Sequence, residues 1–115
     1  MRALVTGGAI RLGREIALYL AQEGYDVAVH YAGSAEAAHD AVGEIRNMGR
    51  LSLALQADLL EDVGSQPLIE RAAEGLGGSL TLLVNNASIF EYDTIETATR
   101  LSWDRHMETN LRAPF

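Results

Sequence analysis

The chain has 115 residues, enough for one domain with a real core, and 48% of them are hydrophobic against 22% charged. A net charge of −7 excludes nonspecific attraction to nucleic acid or to an anionic membrane surface as the basis of function. The chain contains no cysteine, which excludes disulfides and thiolate metal sites and is compatible with a reducing cytoplasm, the expected location.

The apolar periods alternate between strand and helix along the chain. Arg2 to Thr6 predicts a short buried strand, and too few residues precede the first glycine turn for a signal peptide to be expected. Leu12, Ile16, Ala17, Leu20 and Ala21 then recur at helical spacing over Leu12 to Glu23, with Gly24 placed to close the helix. Asp26 to Tyr31 predicts a second strand. A helix follows, with an apolar face of Ala38, Ala41, Val42, Ile45 and Met48, and Gly49 ends it. Leu51 to Gln56 predicts a third strand and Asp58 to Asp62 a turn. A third helix is expected over roughly Ser65 to Leu76, with Pro67 tolerated in its first turn and Gly77-Gly78 after it.

Leu80 to Asn85 is nearly all apolar, as expected of a strand covered on both faces. Asn86 to about Thr97 predicts a loop, and Ser102 is placed to cap a last helix containing Trp103, Met107 and Leu111. Strands joined by helical crossovers pair in parallel, because right-handed connections of this length link parallel neighbours. The expected architecture is therefore an α/β, Rossmann-like doubly wound parallel sheet in strand order 3-2-1-4, its fourth strand an apolar edge. No apolar stretch approaches the length of a membrane span.

Between the first strand and the first helix lies Thr6-Gly7-Gly8-Ala9-Ile10-Arg11-Leu12-Gly13. Gly7 and Gly13 permit a tight turn, and the N–H groups opening the helix point outward with the positive end of its dipole. A dinucleotide pyrophosphate suits such a turn; the bland alternative is a tight turn with no ligand. Arg11 offers a guanidinium to phosphate oxygens or to a polar substrate edge, or is a solvated loop arginine. His30 and Tyr31 end the second strand, where folds that bind NAD commonly place an acid for the ribose 2′-hydroxyl. No acid stands there, which tilts the expectation to NADP over NAD, with Ser34 as donor to the 2′-phosphate or as a plain helix N-cap.

Read together, the glycine turn, Asp58-Leu59 after the third strand and Asn85-Asn86-Ala87-Ser88 after the fourth resemble the short-chain dehydrogenase/reductase family. Members carry a T-G-x-x-x-G-x-G turn, an aspartate near the adenine and an N-N-A-G stretch beside the cofactor. Arg11 at the middle glycine, Ser88 for the last glycine, and the run Asn85-Asn86-Ala87-Ser88-Ile89-Phe90 are similar to the pteridine reductase branch. His30-Tyr31-Ala32-Gly33-Ser34 also resembles that branch, with Gly33 where its arginine would stand.

The resemblance implies cofactor contacts from Gly7, Ile10, Arg11, Leu12, Gly13, His30, Tyr31, Ser34, Asp58, Leu59, Asn86, Ala87 and Ser88. It implies substrate contacts from Arg11, Ser88 and Phe90, the last stacking on a flat pterin-like ring. Asp58 can equally serve as a turn residue, Ser88 as a turn serine and Phe90 as an aromatic filling the core edge. Asn110 matches the family asparagine that lies in a helix break and holds a proton-relay water; otherwise it is a helix surface or cap residue. His39 and His106 have no second ligand at metal spacing and are expected in solvent, as are Glu91, Asp93 and Glu96, so no metal site is expected.

Family catalysis also uses a tyrosine with a lysine four residues on. The chain contains no lysine, so Tyr19, Tyr25, Tyr31 and Tyr92 are not candidates for that role. The expectation is that residues 1–115 form the cofactor-binding half of an NADPH-dependent oxidoreductase, inactive alone, acting on a carbonyl or pterin-like substrate and assembling as a homo-oligomer, a tetramer by resemblance. The alternative is a non-catalytic nucleotide-binding or structural half-domain completed by another chain.

Overall fold

The computed structural model describes residues 1–61 and 67–115. Strand β1 (Arg2–Val5), helix α1 (Arg11–Gln22), β2 (Asp26–Tyr31), α2 (Ala35–Asn47), β3 (Ser52–Gln56), α3 (Leu68–Leu76), β4 (Leu82–Val84) and α4 (Arg100–Met107) follow in chain order. A π-helical turn, Glu108–Arg112, continues from α4. The predicted Asp62 end of the turn and the Ser65 start of the third helix lie outside the described residues.

All strand pairs are parallel, in the order β3-β2-β1-β4. Side-chain alternation splits the core into two layers. Val5, Val27 and Val29 face Ala17, Ala21, Ala38, Val42 and Ile45 of α1 and α2. Leu4, Ala28 and Leu55 face Leu68, Ala72 and Leu76 of α3.

Helix ends follow local chemistry. Gly24, Gly49 and Gly77 take positive φ just after α1, after α2 and at the C-cap of α3, a left-handed conformation that glycine adopts without a Cβ penalty. For α4 the expectation needs correction: Thr99, not Ser102, is the N-cap. Its hydroxyl accepts the Ser102 N–H while the Ser102 hydroxyl accepts the Thr99 N–H, a reciprocal capping box.

The fourth strand also differs from a strand covered on both faces. Among the described residues it pairs with β1 alone, at the edge of the sheet, and Leu83 is 40% exposed. An all-apolar run marks a strand but does not say that both faces are covered. Helix α4 buries none of its residues either.

Candidate functional site

All three segments singled out in the sequence converge at the C-terminal ends of the strands, where open α/β sheets bind ligands. They enclose a cavity of about 560 Å³, within the ordinary range of small-molecule sites. Every residue named above for cofactor contact lies on its wall, together with Ala9, Ile89 and Thr109, which the sequence reading did not single out. Phe90 and Asn110 do not line it.

The glycine turn is held tightly. Gly7 has φ +62, and a Cβ there would sit 3.0 Å from the Cα of Ala87. A Cβ on Gly13 would collide with the Gly7 carbonyl oxygen and stand 2.5 Å from Asn86 Nδ2. Both glycines are therefore required by close backbone approach. Arg11 also has a positive φ, +52, and is the one non-glycine residue in that region among the described residues. It costs of order 1–2 kcal/mol for a residue with a Cβ to sit there, and this is the middle glycine position of the motif. Arg11 is exposed and is one of the residues lining the cavity.

The turn is clamped from both sides. From the β4 side, Asn86 Nδ2 donates to the carbonyls of Thr6 (3.2 Å) and Gly7 (3.1 Å), and Thr6 Oγ1 accepts the N–H groups of Asn86 and Ala87, each at 3.1 Å. From the β2 side, the His30 ring and backbone bind the N–H groups of Gly7 and Gly8, both at 3.0 Å. Burial of His30, at 2% exposure, pushes its pKa below the ordinary value, with the positive charge of Arg71 acting in the same direction and the bond to the Ala57 carbonyl opposing it.

These restraints leave the first turn of α1 facing the cavity. Ile10 is its N-cap and offers no side-chain acceptor, so the N–H groups that open the helix have no cap. The site thus fits an anionic guest on an observation of its own: uncapped donors beside a cradle that any Cβ would fill.

At the adenine end expected from the sequence, Asp58 Oδ1 accepts the Leu60 N–H at 2.9 Å, so its turn role is realised while the residue remains exposed on the cavity wall. Ser34 stands at the N-cap of α2 but makes no side-chain capping bond. Among the described residues no carboxylate lines the β2 end of the cavity, where the lining runs His30, Tyr31, Ala32, Gly33 and Ser34.

Farther out, Asn110 lies in the π-helical break after α4, and its amide grips the Ile89 backbone: Oδ1 accepts the N–H at 2.9 Å and Nδ2 donates to the carbonyl at 3.1 Å. Phe90, the next residue, is 85% exposed and so does not fill a core edge. His106 departs from the solvated expectation. Its Nε2 accepts the Glu91 N–H at 3.1 Å and its Nδ1 lies 2.8 Å from the Ser102 carbonyl. Of the loop acids, Glu91 pairs with Arg105 at 2.7 Å, and hydroxyl donation from Ser102 and then Thr97 holds the Asp93 carboxyl below its usual pKa. Composition alone could not distinguish such loop stitching from solvation. His39 remains exposed, its ring 6.4 Å from that of Tyr31. No helix among the described residues is long and apolar enough to cross a membrane.

Known proteins are similar to this chain over nearly all of its length. The chain is 42% identical over 113 residues to the 3-oxoacyl-[acyl-carrier-protein] reductase FabG of Staphylococcus aureus, covering 98% of this chain and 46% of that protein. Among solved structures it superposes with a TM-score of 0.93 and 43% identity on a short chain dehydrogenase from Burkholderia cenocepacia in complex with NADP, over 97% of this chain and 45% of that one. It superposes with a TM-score of 0.92 and 37% identity on FolM alternative dihydrofolate reductase 1 from Brucella canis complexed with NADP, over 98% and 45%. The chain thus spans about half the length of the curated relatives it matches. The short chain dehydrogenase family model matches residues 1–115, and the chain belongs to that family.

Proposed function

We propose that residues 1–115 hold NADPH for a reductase of the short-chain dehydrogenase type. The observation that carries the reading is the cavity itself: a helix start with no side-chain cap over a glycine cradle, joined to a β2 end that, among the described residues, has no carboxylate and presents Ser34, whose hydroxyl makes no capping bond. A carboxylate there would repel a 2′-phosphate, and its absence among the described residues favours NADP over NAD. That two structural neighbours were crystallised with NADP supports the same choice.

When bound, such a dinucleotide supplies hydride to an electrophilic carbon. The residues of this chain bind and orient. The α1 N-terminus and Arg11 receive phosphate, Asp58 offers a carboxylate to the adenine edge, and Asn86 to Ser88 form the floor next to the reacting end. Asn110 fixes that floor through Ile89. The proton that completes reduction is assigned to a tyrosine–lysine pair outside these residues, because the chain has no lysine.

Two substrate classes have support. Arg11, Ser88 and the exposed Phe90 suit a flat pterin-like ring, in keeping with the alternative dihydrofolate reductase neighbour. The 3-oxoacyl reductase relative favours a carbonyl instead. Titrating the full-length protein with NADPH and with NADH tests the cofactor: NADPH is expected to bind at least about tenfold tighter. Equal affinities overturn the preference, and binding of neither overturns the site. NADPH oxidation assayed with a dihydropterin and with a 3-oxoacyl thioester then separates the substrates, and turnover of the thioester alone removes the pterin reading.

A further inference from the structure

We propose that His30 is the positioning residue of the phosphate turn, acting as a neutral imidazole with its proton on Nε2; this rests on the dinucleotide reading of the cavity. His30 is buried at the C-terminal end of β2, and both of its ring nitrogens meet backbone groups. The Gly7 N–H donates to Nδ1 at 3.0 Å, so Nδ1 must present a lone pair. The proton therefore sits on Nε2, which donates to the Ala57 carbonyl at 2.9 Å.

The same residue also accepts the Gly8 N–H on its own carbonyl at 3.0 Å. One side chain and one peptide unit thus fasten two successive N–H groups of the turn to β2. The consequence is geometric. With the Gly7 and Gly8 donors directed back into the protein, the donors left to meet a phosphate are those that open α1. Through Ala57 the ring also ties the turn to the residue preceding Asp58, so it sets the spacing between the phosphate end and the adenine end of the cavity. Neither end contacts the other directly in the backbone pairing of the sheet, because β1 and β3 lie on opposite sides of β2. A protonated ring could not accept from Gly7, and an Nδ1–H tautomer would set two donors against each other.

Two amides divide the ring's functions. An asparagine oxygen lies near the position of Nδ1, and a glutamine amide nitrogen reaches toward that of Nε2. His30→Gln is expected to weaken NADPH binding by the full-length protein about tenfold, and His30→Leu at least as much, while His30→Asn rescues affinity to within about threefold of wild type. Each amide retains one of the two buried bonds, so the melting temperatures of the Asn and Gln variants are expected to fall by similar amounts.

A binding loss that is equal in the two amide variants, or that merely follows the loss of melting temperature, overturns the positioning role while leaving the cofactor site intact. Failure of the wild-type protein to bind either NADPH or NADH overturns the site and this inference together. Long-range nitrogen–proton spectra of the wild-type His30 ring need no variant to fold: the Nε2–H pattern at neutral pH is expected, and an Nδ1–H or imidazolium pattern overturns the inference.

Discussion

The segment from β1 to α2 and the segment from β4 to the π-helical turn both carry apolar side chains at strand or helical spacing, yet they bury them very differently. Val5, Val27, Val29 and Ile45 are fully enclosed. In the later segment Leu83, Leu101, Trp103 and Leu111 remain exposed. The difference is one of neighbours. β1 and β2 each have a strand on both sides and helices on both faces, whereas among the described residues β4 has a strand on one side only. A second cavity, of about 570 Å³, opens beside that edge and is lined largely by apolar residues such as Leu68, Ile69, Leu83 and Phe115. The glycine-turn end of the candidate site therefore stands on a braced framework, while the end near Phe90 stands on a segment whose apolar surface is uncovered among the described residues.

That contrast can be broken by substitution. Ile45→Ala removes a fully buried side chain from the layer between sheet and helices and is expected to destabilise by about 2–5 kcal/mol in urea unfolding. A loss below about 1 kcal/mol would show that the first segment is not braced as described. Gly13→Ala drives a methyl group into the Gly7 carbonyl and is expected to cost about 1–3 kcal/mol and to abolish measurable NADPH binding. Gly43→Ala at an exposed position of α2, where nothing lies within 4 Å, is the control and should stabilise by about 0.5–1 kcal/mol. Equal effects at the two glycines would remove the argument from close approach.

Acidification produces a smaller, graded effect. The folded-state pKa of His30 is depressed below the ordinary 6.5 by burial, so its neutral form is favoured in the native state. Above about pH 6.5 both folded and unfolded chains hold it neutral, and its contribution is complete. As pH falls below that value the unfolded chain takes up the proton first, and stability drops until the folded-state pKa is reached. Urea midpoints compared between wild type and His30→Asn across pH 7.5 to 5 isolate this term, and parallel profiles would reject it. The smallest effect belongs to the unbraced side: Trp103→Ala, at a side chain 60% exposed, should change the stability of this chain by no more than about 0.5 kcal/mol. A larger loss would mean that α4 is packed more firmly than its exposure shows.

Much of the framework was legible in the sequence, because strand and helix periods, glycine stops and crossover handedness are local or nearly universal constraints. The strand order followed from them, and so did the convergence of the three motif segments on one cavity. Element ends were less legible. Ser102 looked like a cap because serine is a good one, but Thr99 three residues earlier competes for the same backbone and forms the reciprocal pair. Apolar richness at β4 identified a strand without showing how many of its faces are covered.

What the amino-acid sequence by itself determined is the α/β alternation, the glycine turn and the residue types available around it. Tertiary structure alone decided what those residues do. His30 reads as a strand-end residue facing a ligand, but the fold turns both its nitrogens to backbone groups 23 and 27 residues away. Asn86 becomes a clamp on the turn 79 residues before it, and Asn110 a clamp on the loop at Ile89. Periodicity and turn chemistry report each residue's own neighbourhood. The partner of a buried polar group is set by which distant segments the packing brings within hydrogen-bond reach, and for His30 the fold supplies a backbone partner to each ring nitrogen, where an unpaired one would cost about 1–3 kcal/mol.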